Sequence, residues 1–142
     1  MLEKQLHFLL LRCFNYSNRL VTQEIKKLNL LPGQPKILEC LNQYDGLTPK
    51  EIGQYCVIDK STITSLLHKM EQQQLILKKS QARDKRSIKI YLTPKGKQKT
   101  QEIATIGQNV DNFLTANLSN EQQQELITLL QQIISTCQED QV

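Results

Sequence analysis

The 142-residue chain is poor in the residues that enzymes and metal proteins concentrate. It has five glycines and no glycine-rich run, so nothing in it reads as a phosphate-cradling loop. Its two histidines, His7 and His68, are too few for a dedicated metal sensor. No paired Cys/His or Ser/His arrangement suggests nucleophilic catalysis. Cys13, Cys40, Cys56 and Cys137 are far apart and form no Cys-x-x-Cys pair, which argues against structural zinc. Each lies near an apolar stripe, so buried, reduced thiols acting as small hydrophobes are expected. No apolar run approaches the ~20 residues of a membrane span. The opening Met1-Leu2-Glu3-Lys4-Gln5 lacks the basic end and apolar centre of a signal peptide. The expectation is a cytoplasmic protein that is not an enzyme, with no cofactor, no metal and no membrane partner.

What the chain does have is segregated charge. Its apolar content of 39% and charged content of 23% are ordinary for a soluble protein of one domain, with or without helical extensions. From Lys78 to Lys99, however, nine Lys and Arg face the single acid Asp84, a net +8. The whole chain is only +4, so everything else sums to −4. A solubilising loop is the bland reading; concentration of this kind is the footprint of a surface that tracks phosphates.

The residues before this segment give it a context. Thr48 and Glu51 form a capping box around Pro49, so a helix starts there, with Ile52 and Cys56 facing inward. Gly53 stands where helices approach closely, and Ile58 plugs the turn that follows. Asp59 then caps a second helix, its carboxylate reaching the free amides near Thr62. Ile63, Leu66, Leu67 and Met70 follow helical spacing and define its buried face. Ser61, Thr64, Ser65 and His68 fall opposite, with Thr62 and Lys69 on one flank. That outer face is short, rich in hydroxyls and free of carboxylates, so it can approach base edges and phosphates without charge repulsion. A plain solvated face has the same composition; the cationic segment beyond it favours the nucleic-acid reading.

Ile76–Leu77 and the alternating Ile88, Ile90, Leu92 read as two strands. Lys78 to Ser87, between them, reads as a hairpin loop too long for a two-residue turn, with a projecting tip. Helix, turn, helix and β-ribbon together make a winged helix-turn-helix, which most often holds double-stranded DNA. Base reading is expected from Ser61, Thr62, Thr64, Ser65 and His68, and phosphate contact from Lys69, Lys78 and Lys79. Arg86 suits a narrow minor groove, with Asp84 orienting it or a neighbour, while Arg83 and Lys85 add general attraction.

The flanks are helical. Residues 2 to about 29 read as one long helix whose stripe (Leu2, Leu6, Leu9, Leu10, Cys13, Leu20, Ile25, Leu28) is wider than a lone surface helix requires. Asn29 suits its end. Pro32, Gly33 and Pro35 launch a helix with Ile37, Leu38 and Leu41 inward, ended by Tyr44-Asp45-Gly46. Thr93 caps another, opened by Pro94 and carrying Ile103, Ile106, Val110, Phe113 and Leu114. After Asn117-Leu118, Ser119 and Gln122 form a capping box for a last helix bearing Leu126, Leu129, Leu130, Ile133, Ile134 and Cys137. The expected fold is mainly α with a small β-wing. It has an N-terminal dimerisation helix (1–30), a winged helix-turn-helix lobe (31–96) and C-terminal dimerisation helices (97–142). Terminal stripes of this kind are most simply buried against a second copy. A two-fold dimer sets its reading helices ~34–36 Å apart and reads an imperfect palindrome.

The run Ser61-Thr62-Ile63-Thr64, with Leu67, Met70-Glu71, Leu75-Ile76, Asp84-Lys85-Arg86-Ser87 and Leu92-Thr93-Pro94-Lys95-Gly96, resembles the multiple-antibiotic-resistance regulator (MarR) family. Leu31-Pro32-Gly33-Gln34-Pro35 and Thr48-Pro49-Lys50-Glu51-Ile52 extend the resemblance upstream, and the flanking helices fit it over nearly the whole chain. The Asp-x-Arg wing followed by Leu-Thr-x-x-Gly is its more specific part. The resemblance implies a homodimeric bacterial or archaeal transcription factor, usually a repressor released by a small ligand or an oxidant. Two positions depart from the family pattern: Ser65 stands where arginine is frequent, and Gln74 where glycine is usual, so the helix is expected to end there in a strained conformation or to run on.

In such proteins small aromatic acids and other amphipathic molecules occupy the crevice between the dimerisation helices and each lobe. Asn15, Tyr16, Arg19, Gln34 and Lys36 are the candidates to line it here; packing or dimer salt bridges account for Tyr16 and Arg19 equally well. The peroxide-sensing branch carries its reactive cysteine just after a Gln-Leu pair, and here His7 follows Gln5-Leu6. Cys13, beside Arg12, is the remaining redox candidate. Action without an effector, and a winged helix that binds an acidic protein instead of DNA, are the other readings.

Overall fold

The computed structural model describes residues 1–81 and 84–139, apart from the side chains of 81 and 84–86. In chain order the helices are α1 (Leu6–Ile25), α2 (Gln34–Gln43), α3 (Pro49–Cys56), α4 (Lys60–Gln72), α5 (Pro94–Leu114) and α6 (Asn120–Glu139). Between α4 and α5 lie β1 (Ile76–Gln81) and β2 (Asp84–Leu92). The fold is mainly helical with a small β-hairpin wing, as the sequence leads one to expect. The chain divides into two compact units, Met1–Gln108 and Asn109–Val142, with the division inside α5.

The first helical stretch is interrupted. Leu2–Lys4 forms a single 3-10 turn, Gln5 is extended (φ −97°, ψ 128°), and only then does α1 begin. Its far end tightens into a 3-10 turn at Lys26–Leu28 and stops at Asn29, whose φ of 58° is the left-handed conformation that asparagine tolerates.

The core of the first unit gathers residues from every element between α1 and α5. Ile37, Leu38 and Leu41 of α2, Ile52 of α3, Met70 of α4 and Ile90 of β2 are fully buried. Ile63 and Leu67 of α4 and Ile76 of β1 join them, with Ile25 and Ile103 from the flanking helices. Leu66 packs at the edge, against Gly33, where a Cβ would meet it at 3.0 Å.

Caps fix the helix starts where the sequence places them. Thr48 Oγ1 accepts from the Glu51 amide at 3.2 Å while the Glu51 carboxylate accepts from the Thr48 amide, also at 3.2 Å. Thr93 Oγ1 accepts from the Gly96 amide at 3.0 Å, and Ser119 with Gln122 forms the same reciprocal pair at 3.1 and 2.9 Å. Each cap satisfies amides that a helix leaves unbonded at its start.

The ribbon is longer than its apolar residues suggest. The strands pair antiparallel from Ile76↔Leu92 to Ser80↔Ile88, with a register shift before Gln81↔Asp84. Much of the segment expected as loop is therefore strand: Lys78 to Gln81 and Asp84 are paired, and the register shift skips 85–87 in the ladder. A further bridge, Leu47↔Ile90, ties the α2–α3 connection to the ribbon. There the Gly46 amide donates to the Ile90 carbonyl, and Asp45 Oδ1 accepts from the Leu92 amide at 3.1 Å. Gly46 (φ 85°) lies flat against the Tyr91 ring, where a Cβ would meet it at 3.0 Å.

Candidate nucleic-acid interface

The helix-turn-helix is a compact joint. α3 ends at Val57, itself left-handed (φ 54°), and the Ile58 amide donates back to the Gly53 carbonyl at 3.0 Å. A Cβ on Gly53 would approach the Ile58 carbonyl oxygen to 3.1 Å, so glycine is what lets the turn close over α3. Asp59 then opens α4.

Asp59 does more than cap. Its Oδ1 accepts from the Thr62 amide at 2.9 Å and from the Ser61 hydroxyl at 2.7 Å, and its Oδ2 accepts from the Thr62 hydroxyl at 2.8 Å. These bonds, the Thr62 amide first among them, hold its pKa down to about 2. The one carboxylate at the start of α4 is thus engaged along its own helix. The same bonds divide the expected base readers. The Ser61 and Thr62 hydroxyls donate their hydrogen bonds to Asp59, and the Thr64 hydroxyl donates its own to the Lys60 carbonyl at 2.9 Å. Those three present acceptor lone pairs outward. Among the described residues, the side chains of Ser65 and His68 have no partner within the chain, and both are exposed. Lys69 is exposed beside them.

The end of α4 leads into the wing through Gln74, whose φ of 61° is the left-handed conformation that glycine adopts freely. The strained ending expected from the departure at this position is what the backbone adopts. The wing lysines are held in distinct ways. Lys78 Nζ is 3.8 Å from Glu71 Oε1, a loose pair at the end of α4. Lys79 Nζ lies 5.0 Å above the Tyr91 ring, which rests in turn on Gly46. The side chains of Arg83, Lys85 and Arg86 lie outside the described residues.

The residues proposed for an effector crevice separate. Asn15, Tyr16 and Arg19 are exposed on α1. The Tyr16 ring is flanked by Arg12 at 5.8 Å and Arg19 at 5.9 Å, and the Arg12 guanidinium, bonded to its hydroxyl, lowers the phenol pKa. Lys36 lies 5.4 Å over Phe14. Gln34 instead points into the lobe, fully buried, and bonds to Gln73.

The cysteines divide as well. Cys40 and Cys56 pack against the core, and their thiols interact; burial raises both pKa values, that of Cys56 to about 11. Their approach was invisible in a spacing of sixteen residues. Cys13 and Cys137 are exposed in the single chain, which corrects the expectation that all four are buried. Arg12 bonds to Tyr16, not to its neighbour Cys13.

A cationic ribbon beside a carboxylate-free helix face, carried by a capped helix-turn-helix, defines a winged-helix DNA-binding regulator. Comparison with known proteins agrees. The sequence model of the MarR family matches residues 30–88. The organic hydroperoxide resistance transcriptional regulator of Bacillus subtilis is 38% identical over 109 residues, 72% of this chain and 71% of that protein. The regulator SarZ of Staphylococcus epidermidis is 28% identical over 134 residues, 94% of this chain and 89% of that one. A MarR-family regulator from Listeria monocytogenes, crystallised with a 26-mer DNA, superposes with a TM-score of 0.90 at 20% identity, over 96% of this chain and 91% of its own. The chain belongs to the MarR family of winged helix-turn-helix transcription regulators, whose members bind DNA and catalyse no reaction. Among the described residues no helix is long and apolar enough to cross a membrane.

Proposed function

We propose that the chain works as a homodimeric repressor that reads a pseudo-palindromic operator and is released by a small amphipathic or aromatic effector. The observation that carries this reading is the outer face of α4, where Asp59 is tied back along the helix and Ser65 and His68 remain unengaged beside the cationic ribbon. α4 enters the major groove, with Ser61, Thr62, Thr64, Ser65 and His68 at base edges. Lys69, Lys78 and Lys79 meet phosphates. Arg86 enters the minor groove, with Arg83 and Lys85 adding attraction.

Dimerisation is supported by apolar residues left on the surface. Leu6, Leu9, Leu10 and Phe14 of α1 are exposed, as are Phe113 and Leu114 of α5 and Leu126, Leu129, Ile133 and Ile134 of α6. Stripes of this extent on a monomer mark an interaction site. Residues 1–30 and 97–142 thus form the dimerisation base and 31–96 the reading lobe. An effector held near Tyr16, Arg19, Asn15 and Lys36 changes operator affinity by favouring one spacing of the lobes over another.

The test is a salt titration against duplex DNA. Binding that weakens steeply with salt supports the reading. Binding of an acidic protein with no duplex affinity at low salt overturns it in favour of an interaction module. The organic hydroperoxide resistance for which the Bacillus relative is named favours a second reading of release, a thiol switch at the exposed Cys13. Mass spectrometry after mild peroxide treatment decides it: a sulfenic acid or mixed disulfide on Cys13, with loss of DNA binding, supports redox release, and unmodified Cys13 excludes it.

A further inference from the structure

α4 ends on a polar joint rather than on apolar packing alone. Gln34, the first residue of α2, is fully buried, and both ends of its amide are used. Its Oε1 accepts from the Leu31 amide at 3.0 Å, and its Nε2 donates to Gln73 Oε1 at 2.8 Å. Gln73 is the C-cap of α4, half-buried, and directly precedes the left-handed Gln74. The start of α5 closes the joint from the other side. Lys95 Nζ donates to the Gln73 carbonyl at 3.0 Å and Thr93 Oγ1 to the Gln74 carbonyl at 2.6 Å.

A buried amide is costly unless satisfied, whereas a methionine or leucine would fill such a site without that demand. What the amide adds is direction. Apolar contact tolerates sliding and rotation, but a 2.8 Å hydrogen bond fixes one atom against another. The bond spans 39 residues and joins the α1–α2 junction to the C-terminus of α4. Leu66, on the same helix, rests on Gly33 beside it.

We infer that Gln34 and Gln73 are a positioning pair for operator recognition: their hydrogen bond sets the rotation and axial register of α4 against the α1–α2 junction, and so aims Ser65 and His68. The pair rests on the reading of α4 as the DNA-reading helix, and neither glutamine touches DNA itself. A displacement of the α1–α2 junction moves α4 through the same bond.

The experiment uses the full-length protein. A preferred duplex is selected by the wild-type chain from a randomised pool. Affinity for it and for a scrambled duplex is then measured for wild type, Gln34→Met, Gln73→Met, the double variant and Gln73→Glu, each checked by circular dichroism to be folded. Gln73→Met should lower the preferred-to-scrambled ratio about three- to tenfold, the usual worth of one such bond, with the salt slope unchanged. The double variant should lose no more than the worse single variant, because the two act as one unit. Gln73→Glu keeps the acceptor oxygen and should keep the ratio, since its extra charge repels both duplexes alike. An unchanged ratio in folded Gln73→Met, or losses that multiply in the double variant, overturns the pair; the Gln73 variants decide it alone if Gln34→Met fails to fold. Wild type that binds no duplex in a salt-dependent way overturns the reading of α4 and the pair together, an outcome distinct from the loss of the pair alone.

Discussion

The lobe and the terminal helices are built by opposite rules. Between α2 and β2 most large aliphatic side chains are inside, with Val57, Leu77 and Ile88 the exposed ones, and the polar groups around them are tied by caps and backbone bonds. In α1 and α6 many apolar side chains are outside: Leu6, Phe14 and Ile134 are each more than half exposed in the single chain, and α6 has no buried residue. Both regions are helical and amphipathic. The difference is one of degree: the lobe buries most of its apolar side chains within the chain, whereas α1 gives Ile25 and Val21 to that core and leaves Leu6, Leu9, Leu10 and Phe14 exposed, and α6 buries none. On the dimer proposed above, stability and assembly are separable, because the residues that complete the lobe are not those left exposed on the terminal helices.

That separation can be attacked from each side. The largest effect is expected in the lobe. Leu67→Ala empties a packed site and should cost about 2–5 kcal/mol in denaturant unfolding, with DNA binding lost as the lobe melts. Next is the opposite kind of damage. Ile134→Lys should leave the lobe folded by circular dichroism, yet shift the chain to monomer in sedimentation. Operator affinity should then fall by about 100-fold or more, as two linked half-site contacts become one. If Ile134→Lys unfolds the lobe, or leaves a dimer intact, the separation is wrong. Third, Arg86→Ala should cost about 1–3 kcal/mol of operator binding in a shift assay, with neither stability nor oligomeric state changed. Lys79→Ala should weaken preferred and random duplexes equally and reduce the salt slope by about one.

The smallest effect concerns the cap. The Asp59 carboxylate titrates lower in the fold, at about 2, than its ordinary 3.8. Its contribution is therefore present above that ordinary value and is lost as pH falls toward 2. Asp59→Ala should melt at a lower temperature than the parent at pH 7, and the gap should close as pH falls through that window.

How much of this was legible beforehand follows from how local each feature is. Caps need three or four consecutive residues, and Thr48 with Glu51, Asp59, Thr93 and Ser119 with Gln122 were readable for that reason. The buried face of α4 was readable because helical periodicity is local too. The ribbon was not. Lys78, Lys79 and Ser80 alternate nothing apolar, and their pairing with Ile90, Lys89 and Ile88 depends on register across the hairpin, which no short window contains. Gln34 was missed as a core residue because a lone glutamine reads as surface; only its partner 39 residues away explains it. The same holds for Tyr91, whose ring links Gly46 to Lys79 across three separate segments.

Gly96 sets one more property of the molecule. A Cβ there would run into the carbonyl of Leu75, so the first turn of α5 rests bare against the backbone leaving α4. The Leu92 side chain closes the same site, its Cδ2 3.2 Å from where that Cβ would stand. The start of α5 and the root of the wing therefore share one joint with no room for a side chain between them, and enlarging residue 96 would push the two apart.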